Sequence, residues 1–306
     1  MNIADLIFLY AAEEKSISKA ASRAFVSQQC ASKHIQNLES RYGVPLIQRR
    51  PHFALTEAGQ ALFATLQQIH LLESGVAEHI AELGGGSTGA LAIGINASRA
   101  RLLLPDVLRE YRQSYPKVRL SVYSNDTARL AQMLLQGELD LIVGVNTAAE
   151  PRFHVTPLLS ESVYFVVSLQ LLQHFLPEVD PAQPAALPLA FVCRLPLCLN
   201  LPGSTLTELL SRCAAQYNIS LQADVVTSDY DLQLALCRAA EAGFFCPGSL
   251  LPSVRAVAGL CIFSVPELHE KLHIECIRSA ASVQPRYLKA FESALIRRCR
   301  AYDRPE

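Results

Sequence analysis

Hydrophobic and polar positions divide the chain into three regions with different spacing. In the first 60 residues apolar positions recur at helical steps, as at Ile3, Leu6 and Ile7. A longer helical stripe follows up to Leu83, and beyond the glycines at 84–86 short apolar runs alternate with helical stretches. The pattern predicts a small helical domain, one long helix and an α/β domain.

The small domain is predicted to contain three helices and a hairpin. We expect Ser18 and Ser27 to cap the second and third helices, because Ser side chains accept hydrogen bonds from the first free backbone amides. Gly43 should end the third helix, and residues 45–56 should form two short strands around a basic turn. The positions predicted to pack inward are Ala20, Ala21, Phe25, Ala31, Ile35 and Leu38.

The outer face of the third helix is polar and has no acid before Glu39. Residues 15–52 contain seven Lys and Arg but only that one acid, a local charge of +6, whereas the whole chain carries −1. Gln offers a donor and an acceptor to a base edge, and Lys and Ser reach guanine or phosphate oxygens. The alternative is an ordinary solvated helix. The pattern favours a helix that enters the major groove of DNA with Gln28, Gln29, Ser32, Lys33 and Gln36.

A narrow apolar stripe over about three heptads predicts a helix that pairs with a second copy of the chain. Its hydrophobic residues recur at steps of three and four, next to a small N-terminal region. The alternative is a helix packed on its own domain. The residues assigned to dimerisation are Leu62, Leu66, Ile69, Leu72, Val76 and Ile80.

Alternating strand and helix patterns after the glycines predict a parallel sheet covered on both faces. A second set of strands and helices follows the first, so two α/β lobes with chain crossings fit better than one continuous sheet. The strand candidates are 89–95, 118–124, 139–145, 195–201, 223–228 and 271–279, and the helix candidates are 100–115, 126–136, 204–217, 230–241 and 284–299.

Ligands of two-lobed α/β domains lie between the lobes, at strand carboxyl ends and helix amino ends. Arg99, just after the first strand, suggests a small anionic effector, although it is equally consistent with a solvated charge. The hydroxyl residues at such positions also have an alternative role, since each could simply cap its helix. The effector-binding candidates are Ser98, Arg99, Thr127, Asn146, Asn200, Ser204, Thr205, Ser228 and Asp229.

The N-terminal region resembles the winged helix-turn-helix of LysR-type transcriptional regulators. The matching positions are Leu6, Phe8, Glu14, Ser16, Ala20, Ala21, Val26, Ser27, Gln28, Ser32, Ile35, Leu38, Glu39, Gly43, Leu46, Arg49 and the run Leu55 to Gly59. The chain departs from the family pattern at Gln29, Cys30 and Ala31, and its wing is about one residue shorter than the commonest one. These departures bear on base preference.

The resemblance implies an α+β multidomain protein. It predicts a winged helix-turn-helix domain at 1–58, a linker and dimerisation helix with a glycine-rich hinge at 59–88, and an effector domain like periplasmic binding proteins at 89–306. Lobe 1 of that domain would comprise about 89–161 and 267–306, and lobe 2 about 162–266.

The same resemblance predicts the partners. Ser27 and the groove-facing residues above would contact double-stranded promoter or operator DNA, with Arg49 and Arg50 on the wing. The protein would be a dimer of dimers that responds to a small-molecule effector, and it would be no enzyme. No catalytic residue, metal or cofactor is expected.

Two motifs offer different functions. His269, Glu270 and His273 fit the His-Glu-x-x-His pattern of zinc hydrolases, which requires a helix, but the alternation after them predicts a strand. Cys193 and Cys198 would form a thiol-based redox sensor if the segment between them turned. The nine cysteines contain no Cys-x-x-Cys pair, and we interpret them as reduced.

The chain is predicted to be cytoplasmic. No uncharged run reaches the ~18 residues of a membrane-spanning helix, and no small-residue cleavage site follows the N-terminal apolar stretch. We therefore expect no membrane partner.

Overall fold

The computed structural model describes residues 1–48, 52–83, 89–181, 186–281 and 284–302. The chain divides into two compact units. The first consists largely of Met1–Thr88, and the second holds Gly89–Leu134, Leu139–Ser279 and Arg286–Glu306.

The first unit contains the predicted three helices and hairpin, followed by one long helix. Its core is formed by the inner faces of the helices, with side chains such as Phe8, Ala21 and Ile35 fully or almost fully buried. The elements are α1 (Ile3–Glu14), α2 (Ile17–Arg23), α3 (Gln28–Tyr42), β1 (Ile47–Gln48), β2 (Ala54–Leu55) and α4 (Glu57–Leu83).

Two local predictions for this unit are wrong. Ser16, not Ser18, caps α2, because its side chain accepts a hydrogen bond from the amide of Lys19. Phe25 does not pack inward: it is 96% exposed and its backbone φ is +56°. The turn between α2 and α3 needs one residue in the left-handed region, and that conformation directs the ring into solvent.

Helix α4 changes character along its length. Leu66 is 3% exposed and Leu62 packs on the core of the first unit, so the beginning of α4 is packed against the three helices that precede it. Further along, the predicted stripe is uncovered. Exposure is 38% at Ile69, 41% at Leu72, 48% at Val76 and 62% at Ile80.

The second unit contains two five-stranded sheets, each of which defines a lobe. Lobe 1 has the strand order β4-β3-β5-β12-β6, and lobe 2 has the order β11-β7-β10-β8-β9. The strands of lobe 1 are β3 (Gly89–Ile95), β4 (Val118–Tyr123), β5 (Leu141–Val145), β6 (Phe153–Glu161) and β12 (Leu272–Ser279). The strands of lobe 2 are β7 (Val163–Ser168), β8 (Leu197–Leu199), β9 (Val225–Val226), β10 (Gly243–Pro247) and β11 (Leu260–Ser264).

Helices follow most of these strands. Lobe 1 carries α5 (Ala97–Ser114), α6 (Thr127–Leu135) and α12 (Arg286–Tyr302). Lobe 2 carries α7 (Leu169–Phe175), α8 (Leu189–Val192), α9 (Thr205–Gln216), α10 (Tyr230–Arg238) and α11 (Leu251–Arg255).

The predicted parallel pairing is found in only part of each sheet, because both sheets are mixed. Strands β3, β4 and β5 run parallel, but β12 pairs antiparallel with both β5 and β6. Lobe 2 is likewise mixed, since β7 pairs antiparallel with β10 and β11. The chain passes from lobe 1 to lobe 2 at Ser162 and returns after β11, and the crossing strands supply the antiparallel pairs.

Among the described residues, no helix is both long enough and apolar enough to cross a membrane.

Candidate functional site

The outer face of α3 is an uninterrupted polar surface. Gln28, Gln29, Lys33 and Gln36 are exposed and Ser32 is half-buried, while Ala31, Ile35 and Leu38 bury the opposite face. No acid lies in the first turn. The arrangement leaves hydrogen-bonding side chains and one lysine on the side of the helix that solvent, or a partner, meets first. The predicted groove-facing residues on α3 therefore share one surface.

Ser27 begins α3, as predicted. Its hydroxyl accepts a hydrogen bond from the amide of Cys30 at 3.2 Å. The side chain thus stabilises the helix start, and it is exposed there. The free amides of the first turn lie at the same end, where the helix dipole favours a phosphate.

The carboxylate of the only acid in the basic stretch is hydrogen-bonded to the hairpin. The carboxylate of Glu39 accepts hydrogen bonds from the amides of Leu46 and Ile47, at 2.9 and 3.2 Å, and so joins α3 to the hairpin. A second close approach follows: a Cβ on Gly59 would lie 2.0 Å from the carbonyl oxygen of Leu46, so only glycine fits there. The wing residues Arg49 and Arg50 lie outside the described residues.

Val145, at the end of β5, connects a candidate of lobe 1 with a candidate of lobe 2. Thr127 accepts a hydrogen bond from the amide of Val145 at 3.1 Å, and Thr205 of lobe 2 donates to the carbonyl of the same residue at 3.3 Å. Asn146 has a φ of +44°, and its side-chain oxygen accepts from the amide of His273 at 2.7 Å. The structure therefore brings Thr127 and Thr205 together, and Asn146 joins β5 to β12.

The lobe 2 candidates are engaged mainly in local hydrogen bonds. Ser204 caps α9 and Asp229 caps α10, while the hydroxyl of Ser228 accepts from the amide of Leu201. Capping, the alternative interpretation of Ser204, is thus one role that the structure assigns to it. Asp229 also lies 4.0 Å from the guanidinium of Arg101 in lobe 1.

Asn200 belongs to a buried polar group that the sequence did not reveal. Its side-chain oxygen accepts a hydrogen bond from the side-chain Nε2 of Gln233 at 2.9 Å, and Gln233 is fully buried. Its amide nitrogen lies 3.5 Å from the hydroxyl of Tyr230. Burial raises the pKa of the Tyr230 phenol, which keeps it protonated. Tyr230 and Gln233 of α10 therefore contribute polar atoms beside the predicted effector cleft.

Arg99 does not present a free charge. Its guanidinium pairs with the carboxylate of Glu161 at the end of β6, and the other carboxylate oxygen accepts from the amide of Ser249 at 2.7 Å. The suggestion of an anionic effector depended on this arginine, so the structure removes its support. Glu161 was missed because no local pattern distinguishes it. Ser98, the neighbour of Arg99, is 9% exposed and lines a cavity beside α5.

The zinc-hydrolase motif does not form the helix it requires. His269 and Glu270 lie in an irregular segment, and His273 lies in β12. Glu270 pairs with Arg212 at 2.8 Å, and the Nδ1 atom of His273 lies 2.8 Å from the hydroxyl of Ser160. No group of three His, Cys, Asp or Glu residues placed to hold a metal ion is found in the part of the chain that the structure describes.

The two cysteines of the redox alternative lie in unlike surroundings. Cys193 is exposed, whereas Cys198 in β8 is 1% exposed. Burial raises the pKa of the Cys198 thiol. A buried thiol with a raised pKa forms little thiolate, which is the reactive species in thiol oxidation. Both are free thiols in this structure.

Family models of known proteins match both units, and the two models describe domains of the same family. A family model for the "LysR substrate binding domain" matches residues 84–300, and a model for the "Bacterial regulatory helix-turn-helix protein, lysR family" matches residues 6–60.

Individual relatives agree with these models. A "Probable RuBisCO transcriptional regulator" of Trieres chinensis is 33% identical over 45% of this chain and 46% of its own length. The "HTH-type transcriptional regulator cbl" of Escherichia coli K12 is 29% identical over 72% of this chain and 68% of its own. The chain spans about half of the length of the first curated relatives that it matches.

Solved structures show the same fold. The crystal structure of ArgP from Mycobacterium tuberculosis superimposes with a TM-score of 0.72 at 21% identity, over 97% of both chains.

Proposed function

Because the chain belongs to the LysR family of bacterial transcriptional regulators, we propose that it binds specific double-stranded DNA at a promoter or operator and regulates transcription there. The observation that carries this proposal is the exposed Gln, Ser and Lys face of α3 beside a hairpin in a basic stretch. Such a face has the donors and acceptors that major-groove reading requires and no carboxylate that would meet phosphates.

The individual DNA contacts follow from this surface. Ser27 and the first-turn amides of α3 would bind a phosphate, while Gln28, Gln29, Ser32 and Gln36 would meet base edges. Lys33 would neutralise one phosphate or contact guanine. Arg49 and Arg50, in the predicted turn of the hairpin, would also contact DNA, and this assignment rests on the sequence alone. In this assignment residues 1–58 form the DNA-binding domain and 59–88 the linker.

The exposed half of α4 is the proposed dimer contact. Four large hydrophobic residues at helical spacing, from Ile69 to Ile80, are each at least 38% exposed. A second copy of the same helix would cover them as in a coiled coil. Dimerisation would pair two DNA-binding domains, and pairing of dimers would give a tetramer.

The region between the two lobes at 89–306 is the proposed effector site. Thr127 and Thr205 meet there through Val145, and Asn200, Ser204, Ser228 and Asp229 lie at the corresponding edge of lobe 2. A small molecule that binds both edges would favour one arrangement of the lobes, and through it one spacing of the dimers on DNA. Such a protein would act in the cytoplasm, and it needs no catalytic group.

DNA binding is the first test of this function. DNA from just upstream of the gene would be labelled and titrated with the purified protein at two salt concentrations, with random DNA of equal length as competitor. We expect binding that is tight, salt-sensitive and stronger than that of random DNA. Equal binding of both DNAs, with and without extracts of small metabolites, would contradict the proposal.

A further inference from the structure

A cavity of about 430 Å³ lies inside the second unit, apart from most of the residues proposed for the effector cleft. Its walls come from α5 and α12 of lobe 1 and from α10, β10 and α11 of lobe 2. Of the nine effector candidates, only Ser98 lines it. The volume falls within the range of small-molecule sites.

The walls of the cavity are largely apolar. The apolar lining residues include Leu102 and Pro105 of α5, Leu234 of α10, Phe244 and Val254. The ring of Tyr230 and the thiol of Cys246 also lie against it. Burial raises the pKa of that thiol to about 12, so it remains uncharged. A surface of this kind favours the flat, polarisable face of an aromatic ring.

The charged side chains at the cavity neutralise one another. Arg101 pairs with Asp231 at 2.7 Å, and Arg298 pairs with Asp106 at 2.6 Å. Two arginines and two carboxylates leave no net charge, and a charged ligand would have to disrupt one of these pairs. The lining therefore selects against both anions and cations.

The hydroxyl of Ser98 in the lining is available to a ligand. The hydroxyl of Ser98 makes no hydrogen bond to any residue that the structure describes, although its side chain is 9% exposed. A nearly buried hydroxyl gains from a ligand that supplies one donor or acceptor.

We propose that this cavity is a second ligand site, which binds a small, uncharged aromatic molecule of one or two rings that carries a single hydrogen-bonding group. Because its walls come from both lobes, the ligand would favour the lobe arrangement that closes around it. Ser98 is a candidate for both sites, but neither Thr127 nor Thr205 lines this cavity, so ligand binding here can be tested whether or not their cleft takes an effector.

Indole is a suitable probe, because the chain contains no tryptophan. Its fluorescence can be excited where tyrosine hardly absorbs, and its emission moves to shorter wavelength when it leaves water. Titration of the full-length protein into indole should give a saturable shift. Indole-3-carboxylate and tryptamine have similar size but opposite charges, and we expect each to bind about tenfold more weakly or worse.

Variants that fill the cavity locate the site. Leu234→Phe should weaken indole binding about tenfold by occupying the space of the ligand. Ser253→Phe fills it from an exposed position on α11, where the fold tolerates a larger side chain. Leu232→Phe is the matched control, because Leu232 lies on the same helix, is 47% exposed and does not line the cavity.

Three results would overturn the proposal. They are an absent emission shift, wild-type binding in both Leu234→Phe and Ser253→Phe, and equal or tighter binding of indole-3-carboxylate. None of these results depends on DNA binding, so this test and that of the proposed function fail separately.

Discussion

Arg99 and Glu161 pair inside the second unit, with each side chain only 5% exposed. The pair is also a connection between lobes, because Glu161 accepts a hydrogen bond from the amide of Ser249, which follows β10 of lobe 2. The carboxylate therefore contacts the start of α5 and the far lobe at the point where the chain crosses. Removal of either partner would leave a buried charge without compensation.

Glu161→Leu should reduce the free energy of unfolding of the second unit by about 3–5 kcal/mol, the usual cost of an uncompensated buried charge. The double variant Arg99→Leu/Glu161→Leu should recover most of this loss. Urea unfolding followed by circular dichroism measures both. Glu270→Leu is the control: its pair with Arg212 is more than half exposed, and we expect a change of at most about 1 kcal/mol. Similar losses in the single and double variants would contradict the assignment.

Lys33→Ala should weaken DNA binding and reduce the slope of log affinity against log salt by about one, since one phosphate contact is lost. The reduction should be similar for operator and random DNA if Lys33 contacts phosphate. Lys117→Ala removes another exposed lysine, from the second unit, and should leave the slope unchanged. Fluorescence anisotropy over a series of salt concentrations is the measurement. An unchanged slope in Lys33→Ala would exclude Lys33 from the interface.

Much of the first unit could be predicted because its determinants are local. Ser27 caps α3, Gly43 ends it with a φ of +71°, and the apolar positions at helical spacing are buried. Ser16 and Ser18 are both acceptable caps in the sequence, and only the position of the preceding turn decides between them. Phe25 is a hydrophobic residue of the kind that usually lies in a core, but its left-handed backbone conformation directs the ring into solvent.

The second unit was harder to predict where the deciding contacts are distant in sequence. Strands such as β3 and β12 were found at or near their observed limits, since their apolar patterns are clear. The pairing of β12 with β6, however, joins segments more than 100 residues apart and turns the predicted parallel sheet into a mixed one. Glu161 lies 62 residues from Arg99, and the sequence around either residue gives no local signal of the ion pair.

Val76→Glu should raise the dimer dissociation constant by about tenfold or more, because each subunit would place a charge in an apolar contact. Val76 is 48% exposed in the single chain, at the middle of the uncovered stripe of α4. Analytical ultracentrifugation over a concentration series measures the change. His70→Glu introduces the same side chain at an exposed polar position of the same helix, and the dimer should persist. If both variants changed the dimer dissociation constant equally, the apolar stripe of α4 would not be the dimer contact.

Phe25→Asn should stabilise the first unit by about 0.5–1 kcal/mol, because it relieves part of the cost of the left-handed conformation. The ring is 96% exposed and gains nothing from burial, while Asn tolerates the φ of +56° far better than Phe. Phe25→Ala separates the two effects, because it removes the ring but keeps a side chain that disfavours positive φ. We expect little or no stabilisation in that variant. Thermal unfolding of the two variants beside the unchanged chain gives the answer.

Reaction of the native protein with a thiol reagent should distinguish Cys193 from Cys198. Cys193 is exposed and should react first, whereas burial both shields Cys198 and raises its pKa, so its thiolate fraction at neutral pH is small. Cys193→Ser should remove the fastest phase, and Cys198→Ser should leave that phase unchanged. As the pH rises toward the raised pKa of Cys198, more of its thiol ionises. Its reaction should nevertheless stay slow, because the buried thiol is shielded from the reagent. Fast, peroxide-sensitive reaction at both positions, lost together in either variant, would instead support the thiol-based sensor.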